Sequence, residues 1–201
     1  MLELLTGTGL AMAAGLNAYI PLLALGLIAR FTDLLVLPAA WAWLESGWVL
    51  GILGVLLVIE FVADKIPAVD SVNDWIQTLV RPSAGGLAFG SGSASQTVAV
   101  PDPARFLDTV EWAPVVIGVL IALVVHLAKM AVRPVLNAVT AGIAAPVTSL
   151  VEDVASVALV ISAILVPVLV ILAIPILVIG VLLAARFVRR RRRSPGIVVR
   201  T

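Results

Sequence analysis

Two groups of charged residues stand where an apolar sequence has no ordinary use for them. Glu60 and Asp64 are four positions apart, so on a helix they share a face. His126, Lys129, Arg133 and Asn137 fall at i, i+3, i+7 and i+11, one stripe of a second helix if that helix continues past Pro134. One stripe is acidic and the other basic. Either is costly alone in hydrocarbon, and facing each other they neutralise. The two helices should therefore pack with Glu60 and Asp64 toward Lys129 and Arg133. Lys65 and Arg81 add further cations, and Glu152 and Asp153 are further partners for Arg81 or Arg133. Asn17, upstream of Pro21, is either an interhelical hydrogen bond or a ligand contact beside a broken helix.

Such a constellation has two uses. It can be an ion-pair network that fixes helix register. It can also line a polar cavity that binds an anion, passes protons, or does both. A desolvated carboxyl can carry a proton, and cations near helix N-termini suit a phosphate or carboxylate. Asp70 and Asp74, again four apart, are weak metal candidates. Paired carboxylates can hold Mg²⁺ with a phosphate substrate, although two acids at this spacing more simply cap and solvate a helix start. The chain has no G-x-S-x-G, H-E-x-x-H, Walker A or dinucleotide pattern, so no catalytic residue, cofactor or enzyme activity is expected. The absence of cysteine removes disulfides, thiolate chemistry and Cys-ligated metals, and a single histidine removes a multi-His site.

The elements that must position these residues are membrane helices. Of 201 residues 62% are hydrophobic and only 12% charged. Mean hydropathy is +1.18, whereas soluble domains carry about 25% charged residues. The expected fold is all-α: a polytopic membrane bundle of about four spans, near residues 4–29, 48–66, 114–132 and 154–188, in one domain over 1–188. Pro21 should kink or break the first span. Residues 31–48, with Phe31, Trp41, Trp43 and Trp48, read as an interfacial helix or loop. Residues 70–81 read as a short amphipathic helix that stops at Arg81-Pro82. The Gly/Ala/Ser-rich stretch 83–96 is then either a flexible linker or a small-residue segment dipping back into the protein. Ser149, Glu152, Asp153 and Ser156 form a polar stripe on a helix start. Residues 154–188 are too long for one upright span, and a half-helix followed by a full span, hinged at Pro167, fits best.

A weak two-fold internal repeat runs through this order. Each half has a membrane helix ending in charge, then Arg-Pro (Arg81-Pro82, Arg133-Pro134), then a small-residue segment. The net charge of +1 conceals a C-terminal block, Arg186 and Arg189–Arg193, which favours a cytoplasmic C-terminus and a basic tail over 189–201. With four spans and both ends cytoplasmic, Arg133 would face outward, against the usual bias. The block reads as a topology anchor and not as a nucleic-acid site. The N-terminus, with Glu3 and a long apolar run, does not resemble a cleavable signal, and no lipidation motif is present.

Gly15-Leu-Asn-Ala-Tyr-Ile-Pro21, Glu60…Asp64-Lys65-Ile-Pro67, Arg81-Pro82…Gly85-Gly86, His126…Lys129…Arg133 and Ser149…Glu152-Asp153 together resemble an uncharacterised bacterial inner-membrane family, catalogued only as a domain of unknown function. The resemblance spans roughly 5–185. It implies a multi-pass location in the inner membrane but no reaction. Three functions follow as expectations. The first is a small transporter or flippase-like protein for an anionic solute or lipid head group, with or without coupling to protons. The second is a structural or accessory subunit of an envelope complex. The third, least favoured, is an intramembrane phosphate-ester enzyme. Membrane lipids, and a second copy or a larger membrane complex, are the expected partners.

Overall fold

The computed structural model describes residues 1–101, 112–140, 144–176, 178–179 and 186, with the backbone alone for 67–72, 134–139 and 144. The chain is almost wholly helical there: α1 (Leu2–Leu16), α2 (Tyr19–Phe31), α3 (Gly47–Ala63), α4 (Pro67–Ala94), α5 (Ala113–Val139) and α6 (Ala144–Leu165). Short 3₁₀ turns occupy Ala39–Glu45 and Pro167–Leu169. Two two-residue strands, β1 (Leu35–Val36) and β2 (Gln96–Thr97), pair antiparallel, Leu35 opposite Thr97.

Among the described residues, two helices are long and apolar enough to cross a membrane, Ala113–Arg133 within α5 and Ala145–Leu165 within α6. The bent pair Ala39–Glu45 and Gly47–Ala63 makes three if it counts as one span. The first of the four expected spans is not a single helix. The chain breaks at Asn17, whose backbone is extended, and not at Pro21, which sits harmlessly in the first turn of α2. Asn17 Oδ1 accepts from the N–H groups of Tyr19 and Ile20, at 3.0 and 3.2 Å, and so serves as the cap of α2.

This break reverses the course of the chain. The α1 residues Thr6 and Leu10 lie against Gly92 near the end of α4, and the strand that follows α2 pairs with the strand that follows α4. The chain thus enters and leaves the α1–α2 pair at the same end of α4. The elbow reaches down to Arg81, whose Nη1 lies 3.4 Å from the Gly15 carbonyl. That is eleven residues below Gly92, or about 16 Å at ~1.5 Å per residue.

The second difference concerns α4, which does not stop at Arg81-Pro82. It runs through Pro82 and the whole small-residue stretch to Ala94. The hydroxyls of Ser83, Ser91 and Ser95 fold back onto the carbonyls of Leu79, Leu87 and Ser91, hiding their polarity within the helix. Its glycines are a contact surface. A Cβ on Gly86 would lie 2.9 Å from the Val115 carbonyl, and one on Gly118 would lie 2.5 Å from Phe89 Cβ. Helices without side chains at the seam can approach until backbones touch, which is how small residues drive packing in membranes. The stretch is thus neither a flexible linker nor a separate segment dipping back: residues 83–94 continue α4 as helix.

A third difference lies at Pro167. The chain does turn there, into a 3₁₀ turn and an apolar helix described as far as Ile176. The segment before the hinge is a full-length helix and not a half-helix, because α6 begins at Ala144 and takes in the polar stripe expected at its start. The stripe faces the bundle: Ser156 Oγ donates to the Ala13 carbonyl at 3.1 Å. Further along, Thr6 Oγ1 donates to the Ala163 carbonyl at 3.0 Å. The core is Leu10, Ala13, Ala14, Leu22, Leu25, Val125 and Ile164 between these helices, while Val55, Val58, Leu120, Val151 and Val154 face outward. The tail 189–201, Gly142 and the side chains of Asp70 and Asn137 lie outside the described residues.

Candidate functional site

The acidic end of α3 meets the basic end of α5, with α4 and α6 closing the sides. Asp64, at the C-terminus of α3, is the hub. Its Oδ2 lies 3.3 Å from Lys129 Nζ and 3.6 Å from both Arg81 Nη2 and Arg133 Nη2. Asn73 Nδ2 donates to its Oδ1 at 2.9 Å. One turn earlier on α3, Glu60 Oε1 accepts from Arg81 Nη2 at 2.7 Å. From α6, Glu152 Oε2 lies 2.9 Å from Lys129 Nζ and 3.6 Å from Arg133 Nη2. Asp74 on α4 approaches Arg133 Nη1 at 3.8 Å.

The burial is graded. Arg81 and Glu60 are 0% and 1% exposed, whereas the Asp74 and Glu152 side chains retain 10% and 17%. The network therefore runs from a deep pair, Glu60–Arg81, to an outer pair of carboxylates. Buried ion pairs of this kind hold only if geometry and extra hydrogen bonds offset desolvation. Here the offset is incomplete. Glu60 Oε2, Gln77 Oε1, Arg81 Nε, His126 Nδ1, Ser149 Oγ and Asp153 Oδ2 are buried without a hydrogen-bond partner. Native interiors leave few such atoms unpaired.

The expected meeting of Glu60/Asp64 with Lys129/Arg133 is thus present in Asp64's contacts with both cations, while Glu60 pairs with Arg81. Four of the other candidates sit differently. Lys65 lies over the Phe61 ring and donates to the Phe61 carbonyl at 3.0 Å, away from the network, because it follows α3 on its outer side. Asp153 meets no cation among the described residues: its Oδ1 accepts from Asn17 Nδ2 at 2.9 Å, tying α6 to the elbow. His126 faces Thr78 Oγ1 at 3.1 Å through Nε2. Asp74 turns to Arg133, and no cluster of three or more His, Cys, Asp or Glu able to hold a metal ion occurs among the described residues.

Gln77, Thr78, Asn73 and Tyr19 are site residues that the sequence reading passed over. Asp74, Gln77, Thr78 and Arg81 are spaced i, i+3, i+4 and i+7, so the stripe is visible once a single helix is drawn through Pro82. Tyr19, the first residue of α2, faces Gln77, with Glu60 and Arg81 close by.

A broken helix, an enclosed ionic core and an apolar exterior define a helical membrane protein. The chain belongs to the family described as Domain of unknown function (DUF4126), whose model matches residues 4–190. No curated protein and no solved structure matches it.

Proposed function

We propose that this is a small transporter or flippase-like protein that works through the charged core beneath the elbow. The observation that carries the reading is the set of buried polar atoms left unpaired where the Asn17 break meets the network. Broken helices whose exposed backbone ends face a polar site are the recurrent device of secondary transporters. The cargo is an anionic solute or lipid head group drawn to Arg81, Lys129 and Arg133, with protons or another cation moving alongside.

The wider reading is a bacterial inner-membrane bundle of about four membrane passes with a two-fold internal repeat. Lys65 and Arg133 belong to the end of the bundle where α3 and α5 finish. The tendency of basic residues to stay inside gives that end to the cytoplasm. The same rule gives the arginine block at 189–193 to the same side, which requires the chain to cross twice after Arg133.

The test is solute flux into vesicles holding the purified chain. Glu60→Gln combined with Lys129→Met should keep the helical circular dichroism and abolish flux; no flux by the unaltered chain would end the transport reading, and flux retained by the folded double variant would take it away from the charged core. A second reading, an accessory subunit whose charges lock its helices, is favoured by one observation: all three network cations already face carboxylates. Co-purification of a stoichiometric partner with a flux-inactive protein would select it.

A further inference from the structure

The charges of the core do not balance. Among the described residues the network sets four carboxylates, Glu60, Asp64, Asp74 and Glu152, against three cations, Arg81, Lys129 and Arg133. A fifth carboxylate, Asp153, stands beside them with the neutral Asn17 as its bonded partner. With every group ionised and the imidazole neutral, the core carries surplus negative charge in a place where uncompensated charge is expensive.

An independent observation locates the shortfall. Glu60 is 1% exposed and Gln77 2%, and each points one acceptor oxygen, Oε2 and Oε1, at no donor. The groups facing Glu60 are Tyr19 from α2, Arg81 from α4, Lys129 from α5 and Asp64 on its own helix. Of these, Arg81 alone hydrogen-bonds the Glu60 carboxylate, and through Oε1.

We infer that the unpartnered Glu60 Oε2 takes a monovalent cation, Na⁺ or a proton, with Gln77 Oε1, whose residue adjoins the same Tyr19, as a second acceptor, and that an anionic cargo enters the core only in its company. The coupling, though not the cation binding, rests on the transporter reading. The site suits a single charge because Glu60 supplies the one carboxylate oxygen to it and Gln77 a neutral one. An anion arriving alone would add to the surplus, whereas a cation supplies both the missing charge and the missing donor.

The experiment uses the full chain in detergent at neutral pH. Thermal unfolding is followed against NaCl, with choline chloride at equal ionic strength as control, and infrared spectra are searched for the carbonyl band of a protonated carboxyl. A saturable stabilisation by Na⁺ alone identifies a metal ion; a carboxylic-acid band without a Na⁺ response identifies a proton. Glu60→Gln should abolish whichever is found. Gln77→Met, which leaves every ion pair intact, should weaken Na⁺ binding at least tenfold or shift the band, and decides the matter if Glu60→Gln fails to fold. Absence of both signals, or a signal that survives Gln77→Met and any folded Glu60→Gln protein, overturns the inference. Cation binding without cation-dependent flux in vesicles would sink the transport reading and leave this site standing. Cation-independent flux by a protein that binds no cation would do the reverse.

Discussion

Replacing Arg81 by Met tests whether the deep end of the network is held by charge. Arg81 is fully buried, bonds Glu60 at 2.7 Å, lies 3.6 Å from Asp64 and donates to the Gly15 carbonyl. Met fills much of the same space but leaves Glu60 with no cation within ion-pair reach among the described residues. Breaking one side of a buried pair costs about 3–5 kcal/mol, since an uncompensated charge remains. The Gly15 carbonyl loses a donor as well, worth about 1 kcal/mol. Asp64 keeps Lys129 and Arg133, so its share of the loss is small.

Adding Glu60→Gln removes the stranded charge, and the double variant should recover about 2–4 kcal/mol relative to the sum of the singles, the coupling expected of a buried pair. Unfolding by sodium dodecyl sulfate from mixed micelles, run as a double-mutant cycle, reads this directly. A single-variant loss below about 1 kcal/mol, or additive singles, would refute the claim that this pair is desolvated and mutually dependent.

Two further substitutions probe the packing and the boundary of the site. Gly118→Ala puts a Cβ within 2.5 Å of Phe89 Cβ and onto the Gly85 carbonyl, so α4 and α5 must part at a loss of about 1–3 kcal/mol. A thermal midpoint equal to the parent's would mean the seam is looser than drawn. Lys65→Ala should change stability by no more than about 0.5 kcal/mol and leave flux unaltered, because its partners are the Phe61 ring and carbonyl. A loss of flux like that of the Lys129 variant would return it to the site.

Which residues meet was legible in the sequence because charge in an apolar chain needs opposite charge, whatever the route of the backbone. Asp64, Lys129, Arg133 and Glu152 come together on that logic. The route was less legible. Pro82, Gly85 and Gly86 read as a helix stop by propensity measured in water. Inside a packed bundle the backbone groups must still be satisfied, and glycine's lack of a side chain becomes the contact with Val115 and Gly118. The reversal at Asn17 was hidden for a related reason. Residues 4–29 have the length and hydropathy of a crossing, and only the pairing of Leu35 with Thr97 and of Thr6 with Gly92 shows that the chain turns back. Glu60's choice of Arg81 followed the same error, since a helix ended at residue 81 does not carry that guanidinium beneath the elbow.

The bridge between Leu35 and Thr97 makes the two ends of the molecule unequal. At one end the backbone is stitched to itself, linking the exit of α2 to the exit of α4. At the other, where α3 hands over to α4 and α6 begins, the described helices are held together by side chains whose bonds are ionic and exchangeable. Were the bundle to open, the latched end would part by exchanging ionic contacts, whereas the stitched end would have to break backbone hydrogen bonds.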